Sequence, residues 1–411
     1  GLPIVPVKRF INGFANGVAY SCSDCTTTII YCPFGGAAEA TTGLSCPGEF
    51  ADVAFGVGVA QHLIGLGVDV IFGAGGLTGS AGITYAAAPQ GTTISITGAT
   101  SFSGSKAEAS APYVVGVDKD EWYTTFGSGS TPGADKLITS ALKKVDVGVS
   151  LAISNYFAGT GSGSNVLLDA SNGGVGFAPA HSAAVVTSAI SASAAAVFDR
   201  MAAGTFNTYV DSNGDAIPTG VTWEYNSFGT IITHECGLEA CSAESEFLAE
   251  EIQSAACSGS YSHKVTLVLD GGNIDDGTFN QLAYEGAAAS CTEAASCCLE
   301  VDRVDDDVEQ AETKFFCELE YAATDSDLTI GVGFLHEQSV HRAATCMPHK
   351  DFGIVDVAYT ASLPNLEGLT FADDQAGYLA GVIAGGVAAT GSKKGGVIGG
   401  LPLVPVQRFI N

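Results

Sequence analysis

An α/β protein built on parallel sheets is what this sequence predicts, on three observations. Short apolar runs bounded by turn residues recur along the chain, as in 264–270 (KVTLVLD). Glycine-rich turns follow them, as in 271–277, which carries Asp275 and Asp276. Apolar residues at helical spacing come next, as Phe279, Leu282, Ala283 and Gly286 do in a helix expected over 278–290. Strand, glycine turn and helix in that order are the pattern of parallel α/β units. In such sheets ligands bind beyond the carboxyl ends of the strands.

Taken in order, 10–20 reads as a helix and 22–46, rich in Thr, Gly and Cys, breaks the rhythm. A helix is expected over 52–66, a strand over 68–72 and a glycine-rich loop over 73–82. The run 113–117 is a strand leading into Gly116-Val117-Asp118. A second break, 218–263, carries three cysteines and an amphipathic-looking stretch at 243–255. The acidic run 301–312 reads as a solvated helix face, since it lacks the alternating ligands and loop glycine of a calcium-binding loop. Strands are expected at 328–333, 352–357 and 395–399. The uncharged stretch 375–392 is too rich in Gly and Ala for a membrane span and reads as a tightly packed helix. His336 and His341 are expected on a helix surface.

Composition excludes whole classes. The 411 residues are 46% hydrophobic, ample for a core, and the mean hydropathy is +0.28. The formal net charge of −28 argues against nucleic acid and anionic membrane as partners, because both need a basic face. Twelve cysteines point to disulfides and an extracellular or cell-surface location. The odd counts in the clusters Cys236, Cys241, Cys257 and Cys291, Cys297, Cys298, Cys317, Cys346 imply at least one bond between them. Cys22-x-x-Cys25 is half of a zinc motif, but no second C-x-x-C follows and no His lies nearby, so no metal is expected. There is no N-x-Ser/Thr sequon, and no initiator Met or basic leader opens the chain, which reads as a mature or excised segment.

One feature governs the organisation. Residues 1–12 read GLPIVPVKRFIN and residues 400–411 read GLPLVPVQRFIN. Ten of the twelve positions match, at a spacing of 399 residues. The expectation is one period of a tandem array followed by the first twelve residues of the next. The alternative is a circularly permuted domain with a duplicated edge.

Several stretches resemble one family. KVTLVLDGGNIDDGTFNQLAYEGAAA (264–289) resembles the opening of the basic membrane lipoproteins, the purine-nucleoside-receptor type of ABC-importer substrate-binding protein. VDVAY (355–359), NLEGLTFADDQAGYLAGVIAG (365–385) and GGVIGGLPLVPVQRFIN (395–411) follow in the family's order. The thread then resumes at LPIVPVKRFINGFANGVAY (2–20) and runs through GEFADVAFG (48–56), VDVIFGAGGLTGSAG (68–82), VVGVDKDEWY (114–123) and ITSALKKVDVGV (138–149) to NGGVGFAP (172–179). The resemblance implies a two-lobed, type I periplasmic-binding-protein-like α/β fold whose chain order is rotated relative to the family. It divides the chain into 1–220, the family's C-terminal part; 221–263, a cysteine-containing linker; 264–399, the N-terminal part of the next domain; and 400–411, the start of the next period.

The resemblance also implies a nucleoside site. Phe279 and Phe50 match the residues that stack on a purine, a flat apolar face with a polar edge. Asn280 and Asp356 match positions near the base edge. Asp118 matches the carboxylate that accepts ribose hydroxyls, and Lys143 donates to the same sugar. Gly75 and Gly76 suit close backbone approach. Each also has a plainer reading: the aromatics as core, the aspartates as helix caps, Lys143 as solvated surface. Asp276 reads as a structural residue of the loop ahead of Phe279.

No cofactor is implied. There is no G-x-S-x-G elbow, no HExxH and no phosphate loop, and the glycines of GAGGLTG fail the dinucleotide spacing. The functional expectation is a non-enzymatic repeat unit of a large extracellular, filament-forming protein. Its partners would be neighbouring repeats or copies of itself. The alternative is a purine-nucleoside-binding protein for uptake or sensing.

Overall fold

The computed structural model of the chain describes residues 5–32, 38–39, 41–47, 49–161, 163–210, 215–216, 250–254, 261–270, 272–294, 297–304, 311–359 and 363–399. Helix α1 (Val5–Ser21) begins before the expected 10–20 because Pro6 falls in the first turn, where a missing N–H costs no helical bond. Strand β1 (Thr26–Tyr31) follows, then α2 (Val53–Gly65), capped by Asp52 accepting from the Phe55 N–H at 2.9 Å. Next come β2 (Val70–Ala74), α3 (Gly76–Ala87) and the hairpin β3 (Thr93–Thr97) and β4 (Ser101–Ser105). Then follow β5 (Tyr113–Asp118), β6 (Leu137–Lys143), α4 (Val145–Ala158), β7 (Asn165–Leu168), β8 (Val175–Phe177) and α5 (Ser188–Ala202).

The later part holds β9 (Glu250–Ser254), β10 (His263–Asp270), α6 (Phe279–Ala294), β11 (Cys297–Val304), α7 (Ala311–Asp325) and β12 (Leu328–Val332). It ends with α8 (Glu337–Cys346), β13 (Asp351–Val355), β14 (Leu366–Phe371), α9 (Asp373–Ala388) and β15 (Lys394–Gly399).

These elements form two compact units. The first draws on residues 1–144, 169–226 and 372–411, the second on 145–168 and 227–371. In the first, six strands lie in the order β1-β15-β2-β5-β6-β8, parallel except for β8. In the second, seven lie in the order β7-β14-β13-β12-β10-β11-β9, parallel except for the edge strand β9. Helices flank both sheets. The core of the first unit includes Phe55, Tyr85 and Phe126, and Phe14 of α1 stacks on Phe72 of β2 at 4.9 Å. The second unit's core includes Phe315, Phe316, Leu319, Phe352 and Ile354.

Helix α9 is the tightly packed helix read from 375–392, and among the described residues no helix is long and apolar enough to cross a membrane. It meets α1 through a notch of glycines. A Cβ on Gly377 or Gly381 of α9 would strike the backbone of Phe10 or Phe14, and one on Gly13 or Gly17 of α1 would strike that of Asp374 or Tyr378. Small residues at this spacing let two helix backbones approach closely, as they do in membranes.

Four readings are corrected. The expected loop at 73–82 is strand up to Ala74 and helix from Gly76; its glycines serve close packing, since Gly73 and Gly79 touch backbone to backbone. The expected helix face at 301–312 begins as the end of β11, where Val301 and Asp302 are buried in register with Leu267 and Val268. The remainder up to 310 lies outside the described residues. Of the amphipathic stretch 243–255, residues 250–254 are strand β9, drawn into pairing with β11; the rest lies outside the described residues. His336 and His341 are buried, not on the surface. The His336 ring sits 4.3 Å from that of Phe315, and burial pushes its pKa down to about 3.

Disulfides join Cys22 to Cys25, Cys32 to Cys46 and Cys291 to Cys297. Cys298, Cys317 and Cys346 are disulfide-bonded as well. The expected bond between the later clusters involves Cys236, Cys241 or Cys257, and that expectation lies outside the described residues. So does the second copy of the repeated segment, 400–411.

Candidate functional site

Parallel strands leave their carboxyl ends as the natural ligand edge. The candidate residues gather at that edge, each set within its own unit. Phe50, Gly75, Gly76, Asp118 and Lys143 belong to the first unit; Phe279, Asn280 and Asp356 belong to the second.

In the first unit β2 runs into Gly75, which caps α3 with no side chain, and Gly76 has a φ of +54°. Half-buried Phe50 lies against this turn: a Cβ on Gly76 would sit 3.2 Å from the Phe50 carbonyl oxygen and 3.4 Å from its Cβ. The Asp52 N–H donates to Thr78 Oγ1 of α3 at 2.7 Å and so pins the Phe50 turn to the helix start. Asp118 ends β5 with a φ of +60°, beside Leu142 of β6. Lys143, the next residue of β6, is buried rather than solvated. Its Nζ lies 3.3 Å from Asp373 Oδ1 at the start of α9 and 6.0 Å from the centre of the Phe10 ring.

In the second unit Asp276 caps α6, accepting from the N–H groups of Thr278 at 2.8 Å, Asn280 at 3.0 Å and Gln281 at 3.1 Å. That matches its reading as a structural residue. The cap presents half-buried Phe279 and buried Asn280 in the first turn of α6. The Asn280 side-chain amide nitrogen fills the space over Gly272, where any Cβ would collide with it. Its amide oxygen is buried and accepts no hydrogen bond among the described residues. A buried acceptor left unpaired costs about 1–3 kcal/mol, so it marks a place where another donor is expected. Asp356 follows β13 with a φ of +73°, its N–H bonded to Leu369 O at 2.7 Å.

Asp118 and Asp356 thus share a conformation. Each is an aspartate in left-handed backbone at the end of a parallel strand. Such a residue costs on the order of 1 kcal/mol and persists where its surroundings hold it; strain of this kind clusters at ligand sites.

Sequence reasoning passed over Glu121. It is fully buried, accepts from the Val117 N–H at 3.0 Å and from Thr125 Oγ1 at 2.6 Å, and its own N–H donates to Ser140 Oγ at 3.1 Å. It therefore holds the residue just before Asp118. Burial pushes its carboxyl up to about 7, against the lowering effect of those hydrogen bonds. Asp120, one residue earlier, bonds His181 Nε2 at 2.8 Å, and the His181 ring stacks on Trp122 at 4.7 Å. Asp373, the partner of Lys143, was also missed. Three acidic residues within four of Asp118 or in a helix's first turn look like solvated charge until tertiary contacts bury them. Among the described residues no group of three or more His, Cys, Asp or Glu side chains is placed to hold a metal.

Two helix-flanked, mostly parallel sheets give an α/β architecture of the type I periplasmic-binding class. The chain belongs to the family described as ABC transporter substrate-binding protein PnrA-like (Bmp), which matches residues 1–197 and 263–411. A match broken into two segments is consistent with the rotated order.

Among curated proteins the chain is similar to a CD4+ T-cell-stimulating antigen of Listeria innocua, 28% identical over 184 residues, or 44% of this chain and 48% of that protein. It is 29% identical to the antigen of the same name from Listeria monocytogenes, over 35% of this chain and 40% of that protein. An uncharacterized lipoprotein of Pyrococcus abyssi is 27% identical over 36% of this chain and 35% of its own length. The chain thus spans half or less of the length of these relatives. Among solved structures it is similar to an ABC transporter system solute-binding protein of Aeropyrum pernix K1: TM-score 0.24, 21% identity, 26% of this chain and 28% of that one. A putative lipoprotein fragment of Peptoclostridium difficile 630 matches at TM-score 0.23 and 24% identity, over 30% of this chain and 98% of that one.

Proposed function

We propose that this chain is a non-enzymatic, extracellular repeat unit of a tandem, filament-forming protein built on the PnrA-like fold. The observation that carries the reading is the segment repeated at 1–12 and 400–411 with ten of twelve positions alike. Disulfides fit an oxidising location. In this reading 221–263 links successive domains, 1–220 and 264–399 supply their parts, and neighbouring copies are the partners. The −28 charge makes side-by-side packing of filaments dependent on salt or divalent cations. Electron microscopy of native surface material, labelled with antibody to this chain, tests it. Label along filaments at a regular spacing is the expected result; label confined to discrete particles contradicts it.

A second reading is compatible and has its own support. The unpaired Asn280 acceptor and the two left-handed aspartates favour a retained site for a small polar ligand, which we take to be a purine nucleoside. Phe279 and Phe50 would stack on the base, Asn280 and Asp356 would meet its edge, and Asp118 and Lys143 would hold the sugar beside the backbone of Gly75 and Gly76. Calorimetry with inosine, guanosine and adenosine tests this. Heat and a thermal upshift are expected; neither at millimolar ligand would sink it.

A further inference from the structure

Parallel neighbouring strands need a crossover, and the usual crossover is a helix packed on the sheet. In the first unit β15 and β1 are parallel neighbours, hydrogen-bonded from Thr26↔Lys394 to Tyr31↔Gly399. Helix α1 leads directly into β1 and packs beside α9, the helix that leads into β15. Spatially, then, β15-α1-β1 is a complete βαβ unit, although in the order of this sequence β15 comes after α1 and β1. Yet the residues that follow Gly399 are a second copy of the segment that begins α1.

We propose that the groove formed by α9 and β15 is the joint between successive copies of this chain. Each domain is completed across the repeat boundary: α9 and β15 come from one copy, and α1, β1, β2, β5, β6 and β8 come from the next. This rests on the tandem reading and adds which segments close each domain.

Three features of the groove support it. Of the apolar positions of α1 that are buried in this unit, those within the repeated segment, Val7, Phe10 and Ile11, are matched in the second copy by Val406, Phe409 and Ile410. Either copy therefore carries the apolar stripe. The one change of charge, Lys8 to Gln407, removes the cation that pairs with Asp215; Lys8 is buried, but the Asp215 side chain is 58% exposed, so water can solvate the carboxylate where Gln stands in its place. Finally, the reciprocal glycine contacts of α1 and α9 specify one helix at one register, so a second copy of the chain fits the groove and an unrelated apolar helix does not. In a single chain the groove closes on that chain's own α1; exchange of an identical element between copies is the same contact made in trans.

The test is a circular permutant running 221–411 and then directly 13–220. It keeps every cysteine and reduces the repeated segment to one copy, placed between β15 and β1. The expected result is a monomer by light scattering that melts at or above the temperature of the 411-residue chain, with Gly381→Leu lowering both. A permutant without a cooperative transition, beside a parent that has one, overturns the proposal. Native polypeptide gives a second measurement. Under limited proteolysis, resistant fragments should carry β15 and α1 on one uncut peptide by mass spectrometry; resistant fragments that all end between them overturn it. A native polypeptide with a single copy would sink the tandem reading and the joint with it; a tandem polypeptide beside a failed permutant would overturn the joint alone.

Discussion

Replacing Gly381 with Ala tests the α1–α9 contact with a single methyl group. In an exposed helix this exchange stabilises by about 1 kcal/mol, because Ala loses less backbone freedom on folding. At Gly381 the new Cβ would lie 2.9 Å from both Phe14 C and Val18 N of α1, and closer still to the Phe14 carbonyl oxygen. Real Cβ atoms do not come that near to backbone, and backbone cannot rotate away. The helices must part by some tenths of an ångström along a face where Gly13, Gly17, Gly377 and Gly385 are in similar contact. Overpacking of this kind costs roughly 1–3 kcal/mol, and here loosening spreads along the whole interface, so the upper part of that range applies. Net of the propensity gain, destabilisation of about 1–2 kcal/mol is expected. Gly65→Ala supplies the opposite sign: it lies in the last turn of α2 with nothing among the described residues within 4 Å of its Cβ, so up to ~1 kcal/mol of stabilisation is expected. Urea titration followed by circular dichroism, with the disulfides intact, reads both. A Gly381→Ala protein as stable as Gly65→Ala would refute the close-packing argument.

Other outcomes follow from the same structure. Lys143→Met removes the cation beside Asp373 in a pair whose side chains are 3% and 2% exposed; a loss of about 3–5 kcal/mol is expected, largely restored by Lys143→Met with Asp373→Leu, and a neutral single variant would speak against a buried pair. Glu121 has a folded pKa raised to about 7, so the folded state holds its proton over a range where the unfolded state has lost it. Stability from this group is present below about pH 4.5 and is lost as pH rises through about 7, by about 3 kcal/mol in all. Glu121→Gln should flatten that decline in melting temperature; an unchanged slope would show that Glu121 does not cause it. For the nucleoside reading, Asn280→Ala should weaken calorimetric binding about tenfold or more with little change in melting temperature, whereas unaltered affinity removes Asn280 from the site.

The sequence disclosed its fold where local pattern and tertiary role agree. The run β10, glycine turn and α6 was legible because apolar spacing changes from strand to helix across Asp275 and Asp276. The α9 helix was legible as a packed helix because its charge-free stretch is small rather than bulky. The α3 glycines misled, since glycine in a helix interior normally signals a loop; here α2 and β2 approach so closely that a Cβ has no room. The β11 strand was hidden by its charges, although Asp302 is buried. At the candidate site, Asp118, Asp356 and Asn280 were reached through the family resemblance, not through spacing. Glu121 and Asp373 gave no local signal, because Val117, Ser140 and Lys143 give them their surroundings only after the sheet has formed.

The mass of the intact native polypeptide, reduced and denatured, bears most directly on the central claim. A tandem protein predicts a mass several times 41.6 kDa. A mass near 41.6 kDa would contradict it, leaving a permuted single domain with nucleoside binding as its leading function.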